Sequence, residues 1–403
     1  MTEVDWDRVF TAVPRRPYIP DVVWTDADEP INRETNPDAW AEAVAADIPL
    51  VTQMDDGAEG GGLFPSSSAS MPSLVRLMLE QLDIRPDHRV LEIGTGTGWN
   101  AALLATALTD GGVISIEVDP ALAVQAKENL FACDAEPFVI VGDGLRGYPD
   151  GAPYDRLIAT MAVQHVPYEW PEQVKPGGVI LTPWGTAFHN SGLLRLVVNG
   201  DGTASGPFVG SVNFMWARSQ RRRFDTREFV GDVIADPDTK RVRHTTTDPR
   251  PMREEHAEFA IGLCLPEVEQ RVYFGHGDTA GEYTQWLSDG LSWASVDYKP
   301  GADKFEVNEN GPRDLWAEAE TAFEDWRSRG EPTREQHGVT VTPDGQRTWC
   351  DGPNGRVDVG PASGAWHRVS PGPKQHGSGL IASWAALAPP ITPTGRPRRP
   401  GRA

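Results

Sequence analysis

Cysteine and long apolar runs are scarce in this chain, and both absences narrow what it can be. Its three cysteines, Cys133, Cys264 and Cys350, are far apart and lack the spacing of metal ligands. We therefore expect no disulfide framework and no bound metal, but a reduced, cytoplasmic setting with the thiols buried as small hydrophobes. No apolar run is long enough to span a membrane, and the acidic first residues do not have the order of a signal peptide.

Positive charge is also in short supply. The chain has 37 Lys and Arg against 58 Asp and Glu, a formal net charge of −21. Such a field repels phosphate backbones, so we expect no nucleic-acid partner. Because no apolar run is long enough to span a bilayer, we also expect no membrane partner. Residues 361–403 are the exception, with six basic residues, no acidic ones and eight prolines. Their composition predicts a disordered basic tail.

The hydrophobic pattern predicts an α/β fold followed by a smaller α+β domain. From residue 71 to about 200, short apolar runs alternate with helical patterns, as in a Rossmann-like, doubly wound parallel sheet. Beyond residue 225 short apolar runs mix with Gly and Asp turns. A helix is expected from Leu315 to Trp326, and a hairpin is expected around Pro343-Asp344-Gly345.

A glycine-rich turn, Glu92-Ile93-Gly94-Thr95-Gly96-Thr97-Gly98, follows the first apolar strand and precedes a helix. Glycines allow the backbone to approach a ligand closely, and the N–H groups of the following helix start face it. Glu117 ends the next strand, where a carboxylate can accept both hydroxyls of a ribose. Asp143-Gly144 ends the third strand, where an acidic turn can bind the exocyclic amine of adenine. Taken singly, each carboxylate is better explained as a solvated turn residue. Together, at the carboxyl ends of successive strands, they are expected to line one crevice and to bind a ligand.

Strict alternation of the glycines, with an acidic residue before them, distinguishes this turn from a dinucleotide fingerprint. A pyrophosphate is an anion, whereas S-adenosyl-L-methionine carries an ammonium and a sulfonium group. We therefore predict S-adenosyl-L-methionine as the cofactor. The expected cofactor-binding residues are Glu92, Gly94, Thr95, Gly96, Gly98, Trp99, Asn100, Glu117, Asp143 and Gly144.

These segments resemble the protein-L-isoaspartate O-methyltransferases over roughly residues 10–200. The glycine turn is shared by many methyltransferases. More specific are the blocks Ser68-Ala69-Ser70-Met71-Pro72, Gly142-Asp143-Gly144 and Ala152-Pro153-Tyr154-Asp155. The resemblance implies methyl transfer to a side-chain carboxylate of a peptide and places Ser70 at the acceptor. A carboxylate is already ionised at neutral pH, so alignment is needed and a general base is not.

Two departures from the family bear on the substrate. The segment after the fourth strand, Thr160-Met161-Ala162-Val163-Gln164-His165-Val166-Pro167, is bulkier and more polar than the family's alanine-rich run. The chain is also longer than the compact repair enzymes. It resembles the branch that accompanies ribosomally made, modified peptides (lanthipeptides, graspetides, lasso peptides), which implies methylation of an aspartate followed by closure to an aspartimide. The expected substrate-binding residues are Ser66, Ser67, Ser68, Thr160, Met161, Gln164 and His165.

Several alternatives stay open at this point. The chain can be a generalist isoaspartyl repair enzyme, Ser70 can be a helix-capping serine, and the whole can be a peptide-binding module without activity. An adenine methylase is disfavoured because Thr160-Met161-Ala162-Val163 does not resemble its Asn/Asp-Pro-Pro-aromatic turn. The expected divisions are an acidic segment and lid (1–65), a cofactor-binding domain (66–224), an accessory domain (225–360) and the tail (361–403).

Overall fold

The computed structural model describes residues 4–25, 29–58, 64–108, 112–221 and 240–355. The tail predicted at 361–403 lies outside these residues. The described residues divide into two compact units: those up to Tyr18 together with those from Pro72 onward, and those of Ile19–Met71. We call them the large unit and the small unit.

The helices and strands of the described residues are numbered in chain order. The helices are α1 (Trp6–Ala12), α2 (Pro37–Ala45), α3 (Pro72–Leu82), α4 (Trp99–Ala107), α5 (Pro120–Ala132), α6 (Glu169–Gln173), α7 (Glu255–Cys264) and α8 (Leu315–Ser328). The strands are β1 (Val22–Val23), β2 (Ile31–Asn32), β3 (Leu50–Met54), β4 (Pro65–Ala69), β5 (Arg89–Ile93), β6 (Gly112–Glu117), β7 (Phe138–Val141), β8 (Tyr154–Ala159), β9 (Val174–Trp184), β10 (Gly192–Val198), β11 (Ala204–Ser211), β12 (Arg241–Thr245), β13 (Glu269–Phe274), β14 (Tyr283–Ser288), β15 (Trp293–Tyr298), β16 (Phe305–Asn310), β17 (His337–Thr342) and β18 (Gly345–Cys350).

A parallel sheet forms the centre of the large unit. Strands β9, β8, β5, β6 and β7 lie side by side in that order, and each neighbouring pair is parallel. Apolar side chains are buried on both faces of this sheet, in two separate clusters. The Rossmann-like, doubly wound fold predicted from the sequence is therefore confirmed.

The helices of this part begin where the sequence supplies caps. Pro120 occupies the first turn of α5, and the Asp119 carboxylate accepts hydrogen bonds from the amides of Ala121 and Leu122. Pro72 opens α3, which buries Met78 and Leu79 against the sheet. A proline in the first turn costs no hydrogen bond, and a capping carboxylate satisfies free N–H groups.

Four antiparallel strands extend the sheet beyond β9, in the order β10, β11, β17, β18. The hairpin expected around Pro343-Asp344-Gly345 is present as β17 and β18. It pairs with β11, however, and so belongs to the large sheet, whereas residues up to 360 were expected in a separate accessory domain. The physical reason is that β11 would otherwise leave an unpaired edge, which β17 covers.

The accessory layer itself is smaller than expected. Strands β12 to β16 form a five-stranded antiparallel sheet in the order β12, β16, β15, β14, β13. Helices α7 and α8 pack on this sheet, and Trp316, Phe323 and Trp326 of α8 are buried in the shared core. These tryptophans are core residues, as their helical spacing indicates.

The N-terminal segment is divided between the two units. Helix α1 belongs to the large unit, where Val9 and Val13 join the core around α4. The small unit contains β1 to β4 and α2 around a core that includes Trp40, Val44 and Leu50. The continuous segment 1–65 expected from composition is thus two pieces, because its first helix buries an apolar face that the composition did not reveal. Within the described residues no helix is both long and apolar enough to cross a bilayer.

Candidate active site

The central sheet reverses its order of strand addition between β5 and β8. Strands on either side of such a point are connected to helices on opposite faces, so a crevice opens beyond their carboxyl ends. The glycine turn follows β5 and the segment beginning at Thr160 follows β8, so both lie at this edge. The crevice is where an α/β sheet of this kind binds ligands.

The three glycines of the turn all have positive φ: +95° at Gly94, +54° at Gly96 and +91° at Gly98. At Gly94 a Cβ would lie 2.5 Å from the Thr160 hydroxyl oxygen, and at Gly98 it would lie 3.2 Å from Leu130. These two positions therefore also need glycine for packing. Gly96 lies between them and donates its amide hydrogen to the Glu117 carboxylate, 2.9 Å away.

Glu92 lies beneath the turn and is fully buried. One oxygen accepts a hydrogen bond from the Asn100 side-chain amide at 2.7 Å, and the other accepts one from the Ser115 hydroxyl. The Ser115 oxygen is in turn 2.6 Å from the Thr95 hydroxyl oxygen. Burial raises the pKa of Glu92 to about 7, against these hydrogen bonds, which lower it. Through these side-chain bonds Glu92 and Thr95, both predicted to contact the cofactor, support the turn from within the protein.

Glu117 ends β6 beside the turn. Besides the Gly96 amide, its carboxylate accepts the amide hydrogen of Asp119 at 3.1 Å. Asp119 is itself buried and forms an ion pair with Arg218, with 2.9 Å between Nη2 and Oδ2. Sequence reasoning missed this second layer, although Asp119-Pro120 is a recognisable helix start. Two backbone donors thus hold the carboxylate in place, and each oxygen retains a lone pair for a further donor.

Trp99 and Asn100 begin α4, and their side chains bond to other groups of the protein. The Trp99 indole donates to the Val13 carbonyl oxygen at 3.0 Å, and its ring lies edge-on to Phe10 with 5.7 Å between centroids. Asn100 donates to Glu92. Both are predicted cofactor-binding residues; their side chains contact the core and the buried network, and their backbone stands at the start of α4.

Asp143 and Gly144 follow β7 at the same edge of the sheet. Asp143 is exposed and accepts the Leu145 amide hydrogen at 3.1 Å. Gly144 is buried, and a Cβ there would lie 2.3 Å from Ile93. Its carbonyl oxygen accepts the Trp170 indole hydrogen at 2.9 Å. The carboxylate of Asp143 is therefore available to a ligand, whereas Gly144 is required for packing.

The segment of residues 160–166, which we call the post-β8 loop, starts at the turn. The Thr160 hydroxyl donates to the Gly94 carbonyl oxygen at 2.5 Å, which joins loop and turn directly. Met161 is half-buried against the sheet, and His165 is exposed. The Gln164 side chain donates to the Pro266 carbonyl oxygen at 3.0 Å, in the accessory layer. Gln164, expected to face substrate, is therefore held by the protein itself.

The serines lie in the small unit, on β4 and just after it. Ser67 is buried and accepts the hydroxyl hydrogen of Thr52 at 3.2 Å, and Ser66 donates to the Gln53 side chain at 2.8 Å. Ser68 pairs with Val51 in the β3–β4 ladder. Ser70 is half-buried between β4 and α3, and Met71 stands between it and the first helical residue. Met71 therefore occupies the position before the first helical residue, where a capping side chain would be.

Comparison with known proteins gives a consistent result for the first half of the chain. Residues 8–221, just over half of it, match the family model for protein-L-isoaspartate(D-aspartate) O-methyltransferase. A protein-L-isoaspartate O-methyltransferase of Pyrococcus horikoshii is 41% identical over 147 residues, which are 36% of this chain and 66% of the relative. One of Methanopyrus kandleri is 46% identical over 119 residues, 29% of this chain and 53% of the relative.

A solved structure titled protein-L-isoaspartate O-methyltransferase is similar at 22% identity with a TM-score of 0.49, covering 86% of this chain and 94% of its own. The curated matches span between about half and two thirds of those relatives' lengths. The family match ends at residue 221 and so includes every predicted site residue but not the accessory layer or the β17–β18 hairpin.

Proposed function

Because the chain belongs to the protein-L-isoaspartate O-methyltransferase family, we propose that it transfers a methyl group from S-adenosyl-L-methionine to the side-chain carboxylate of an isoaspartyl residue in a peptide. The observation that carries this proposal is the pairing of Glu117 with the Gly96 amide at the mouth of the crevice. It puts a fixed carboxylate beside the glycine turn, where ribose hydroxyls can be bound.

The residues at this edge fit the cofactor in charge and shape. The crevice carries the carboxylates of Glu117 and Asp143, which suit a cationic ligand. Val118, directly after Glu117, is 44% exposed and offers an apolar surface to an adenine ring. Gly96 has the backbone conformation that a close approach requires. We therefore assign cofactor contact to Gly96, Glu117, Val118 and Asp143.

The chemistry demands little of the protein beyond position. When bound, the cofactor supplies an electrophilic methyl group on a sulfonium. A substrate carboxylate oxygen forms the new carbon–oxygen bond as the methyl–sulfur bond breaks, and the electron pair stays on sulfur. The carboxylate has no proton to lose, so the chain needs no general base. Its residues have to align the two partners and exclude water, a role we propose for the post-β8 loop. For Ser70, which belongs to the small unit, the family resemblance alone supports a role at the acceptor carboxylate.

The direct test is methyl transfer by the full-length protein. A linear peptide with one isoaspartyl residue should gain one methyl group by mass spectrometry, and the same peptide with ordinary aspartate should gain little. Glu117→Ala provides the cofactor-side control, because losing hydrogen bonds to a charged group should weaken cofactor binding about tenfold or more. Methylation of neither peptide, with the cofactor bound in calorimetry, would contradict the proposal.

A second candidate is methylation of an aspartate in a crosslinked precursor peptide, with later closure to an aspartimide. One observation favours it: the post-β8 loop is held by Pro266 and by other residues beyond the family match. Such contacts can give the post-β8 loop a conformation, and therefore a substrate-binding surface, that differs from the one in the compact repair enzymes. We therefore propose comparing a crosslinked aspartyl peptide with its linear form. Turnover of the crosslinked form alone, followed by loss of methanol, would favour this candidate, and turnover of linear isoaspartyl peptides alone would exclude it.

A further inference from the structure

Two glutamine side chains hold the backbone of the post-β8 loop from two directions. The side-chain oxygen of Gln220 (Oε1) accepts the backbone amide hydrogens of Gln164 at 2.8 Å and His165 at 3.0 Å. Its NH₂ group donates to the His165 carbonyl oxygen at 2.8 Å. Gln346, at the start of β18, accepts the Val166 amide hydrogen at 2.9 Å and donates to the Gln164 carbonyl oxygen at 2.7 Å.

Between them the two amides satisfy five consecutive polar groups of a loop backbone. A side-chain amide carries both an acceptor and donors, so it can take the place of a neighbouring strand. The rest of the loop is paired in other ways: Thr160 with Gly94, Ala162 with Met215 and Val163 with Pro183. The loop is therefore fixed from the glycine turn to Val166.

Gln346 reaches the loop because of the sheet topology. Residue 346 is the second residue of β18, close to the turn of the β17–β18 hairpin, and that hairpin is attached to the large sheet through β11. Gln346 is 180 residues from Val166 in sequence and lies beyond the family match. The C-terminal hairpin is thus connected to the loop that starts at the cofactor turn.

From this geometry we infer that Gln346 and Gln220 are positioning residues, which set the post-β8 loop in register with the glycine turn and thereby select the peptide substrate. The inference rests on the proposed function for its substrate. Neither residue contacts the reacting atoms. Removing either amide leaves backbone groups without partners, so the loop should sample other conformations and align the acceptor less well.

The test uses Gln346→Ala and Gln220→Ala in the full-length protein, with Gln336→Ala as a matched control. Gln336 also makes a two-sided contact, accepting from the Thr333 amide and donating to Asp351, but at the other end of the hairpin. We expect the two loop variants to lose about tenfold in kcat/KM for the peptide, with the KM for S-adenosyl-L-methionine unchanged. Gln346→Glu, which keeps the acceptor but not the donor, should be intermediate. The control should retain wild-type values.

Amide hydrogen exchange separates this inference from the proposed function, because it needs no turnover. Exchange at Gln164, His165 and Val166 should be faster in Gln346→Ala and Gln220→Ala, and unchanged in Gln336→Ala. If the wild-type protein methylates no peptide but exchange behaves in this way, the proposed function fails while the positioning contact stands. Unchanged exchange would overturn the contact. Faster exchange with kinetic constants equal to wild type would overturn the positioning role.

Discussion

Glu92 is the residue whose position most affects how the glycine turn works. Fully buried, its carboxylate connects Asn100 of α4 to Ser115 of β6, and through Ser115 to Thr95 of the turn. These hydrogen bonds join helix α4, strand β6 and the glycine turn beneath the expected position of the cofactor. A motif in the sequence shows that an acidic residue precedes the glycines, but not on which side of the turn its side chain lies.

The raised pKa of Glu92 predicts how stability depends on pH. Its folded-state pKa is about 7 against an ordinary value of 4.5, so protonated Glu92 stabilises the fold below pH 4.5 and this contribution is lost as pH rises through 7. Glu92→Gln cannot ionise and should gain on wild type between pH 5 and pH 8, by at most about 3 kcal/mol. Denaturant unfolding at both values measures the difference. Glu128→Gln, at an exposed position, is the control substitution. A gap for Glu92→Gln that is equal at both pH values would contradict the raised pKa of Glu92.

Ser70 can be separated from its neighbours by a similar comparison. We expect Ser70→Ala to bind cofactor normally but to lose roughly a hundredfold in methyl transfer, because an orienting hydrogen bond is absent. Ser67→Ala is the matched control: Ser67 is buried against Thr52, so its loss should lower the melting temperature and leave kcat unchanged. Full activity in Ser70→Ala would assign the orienting role elsewhere.

At the level of elements, local pattern predicts much of what forms. The apolar runs between residue 71 and about 200 correspond to strands β5 to β10, and the spacing of Leu315, Trp316, Phe323 and Trp326 predicts α8. The sequence does not predict the partners of individual side chains near the turn, because Trp99 and Gln164 bond to groups that are far away in sequence. No periodicity encodes those contacts.

The glycine turn itself can be tested through its central residue. Gly96→Val forces a β-branched side chain to φ near +54°, which costs about 1–3 kcal/mol and moves the amide that Glu117 accepts. We expect cofactor affinity, measured by calorimetry, to fall about tenfold or more while the fold persists. Gly177→Val is the matched control, since Gly177 has φ +80° and no atom within 4 Å of its Cβ. Native affinity in Gly96→Val would move the cofactor away from this turn.

At the level of the whole molecule, the last two strands, β17 and β18, belong to the large sheet although they follow the accessory layer in sequence. Strand β17 pairs with β11 across more than a hundred residues of sequence, for example Ser205 with Thr340. The Ser205 and Thr340 hydroxyl oxygens are 2.8 Å apart in that pair. A local hairpin signal identifies β17 and β18, but the partner strand depends on which sheet edge is free after folding. For that reason the sequence placed β17 and β18 with the accessory domain expected at 225–360, whereas they pair in the large sheet.

The pairing of β17 with β11 predicts that the β17–β18 hairpin and the large sheet unfold together. At Gly338 of β17, a Cβ would lie 2.3 Å from the Trp349 ring and 2.4 Å from the Gly206 carbonyl oxygen on β11. Gly338→Ala should therefore force β17 away from β11, expose that edge and destabilise the protein by about 1–3 kcal/mol. Gly210→Ala, on β11 with no atom within 4 Å of its Cβ, is the control and should change stability little. Thermal unfolding of Gly338→Ala should show a single transition at a lower temperature than in the wild type. The reason is that the accessory layer comes, in sequence, between β11 and β17, which are neighbouring strands of one sheet. A first transition confined to the hairpin, with the rest melting at the wild-type temperature, would show instead that β17 and β18 are a separable addition.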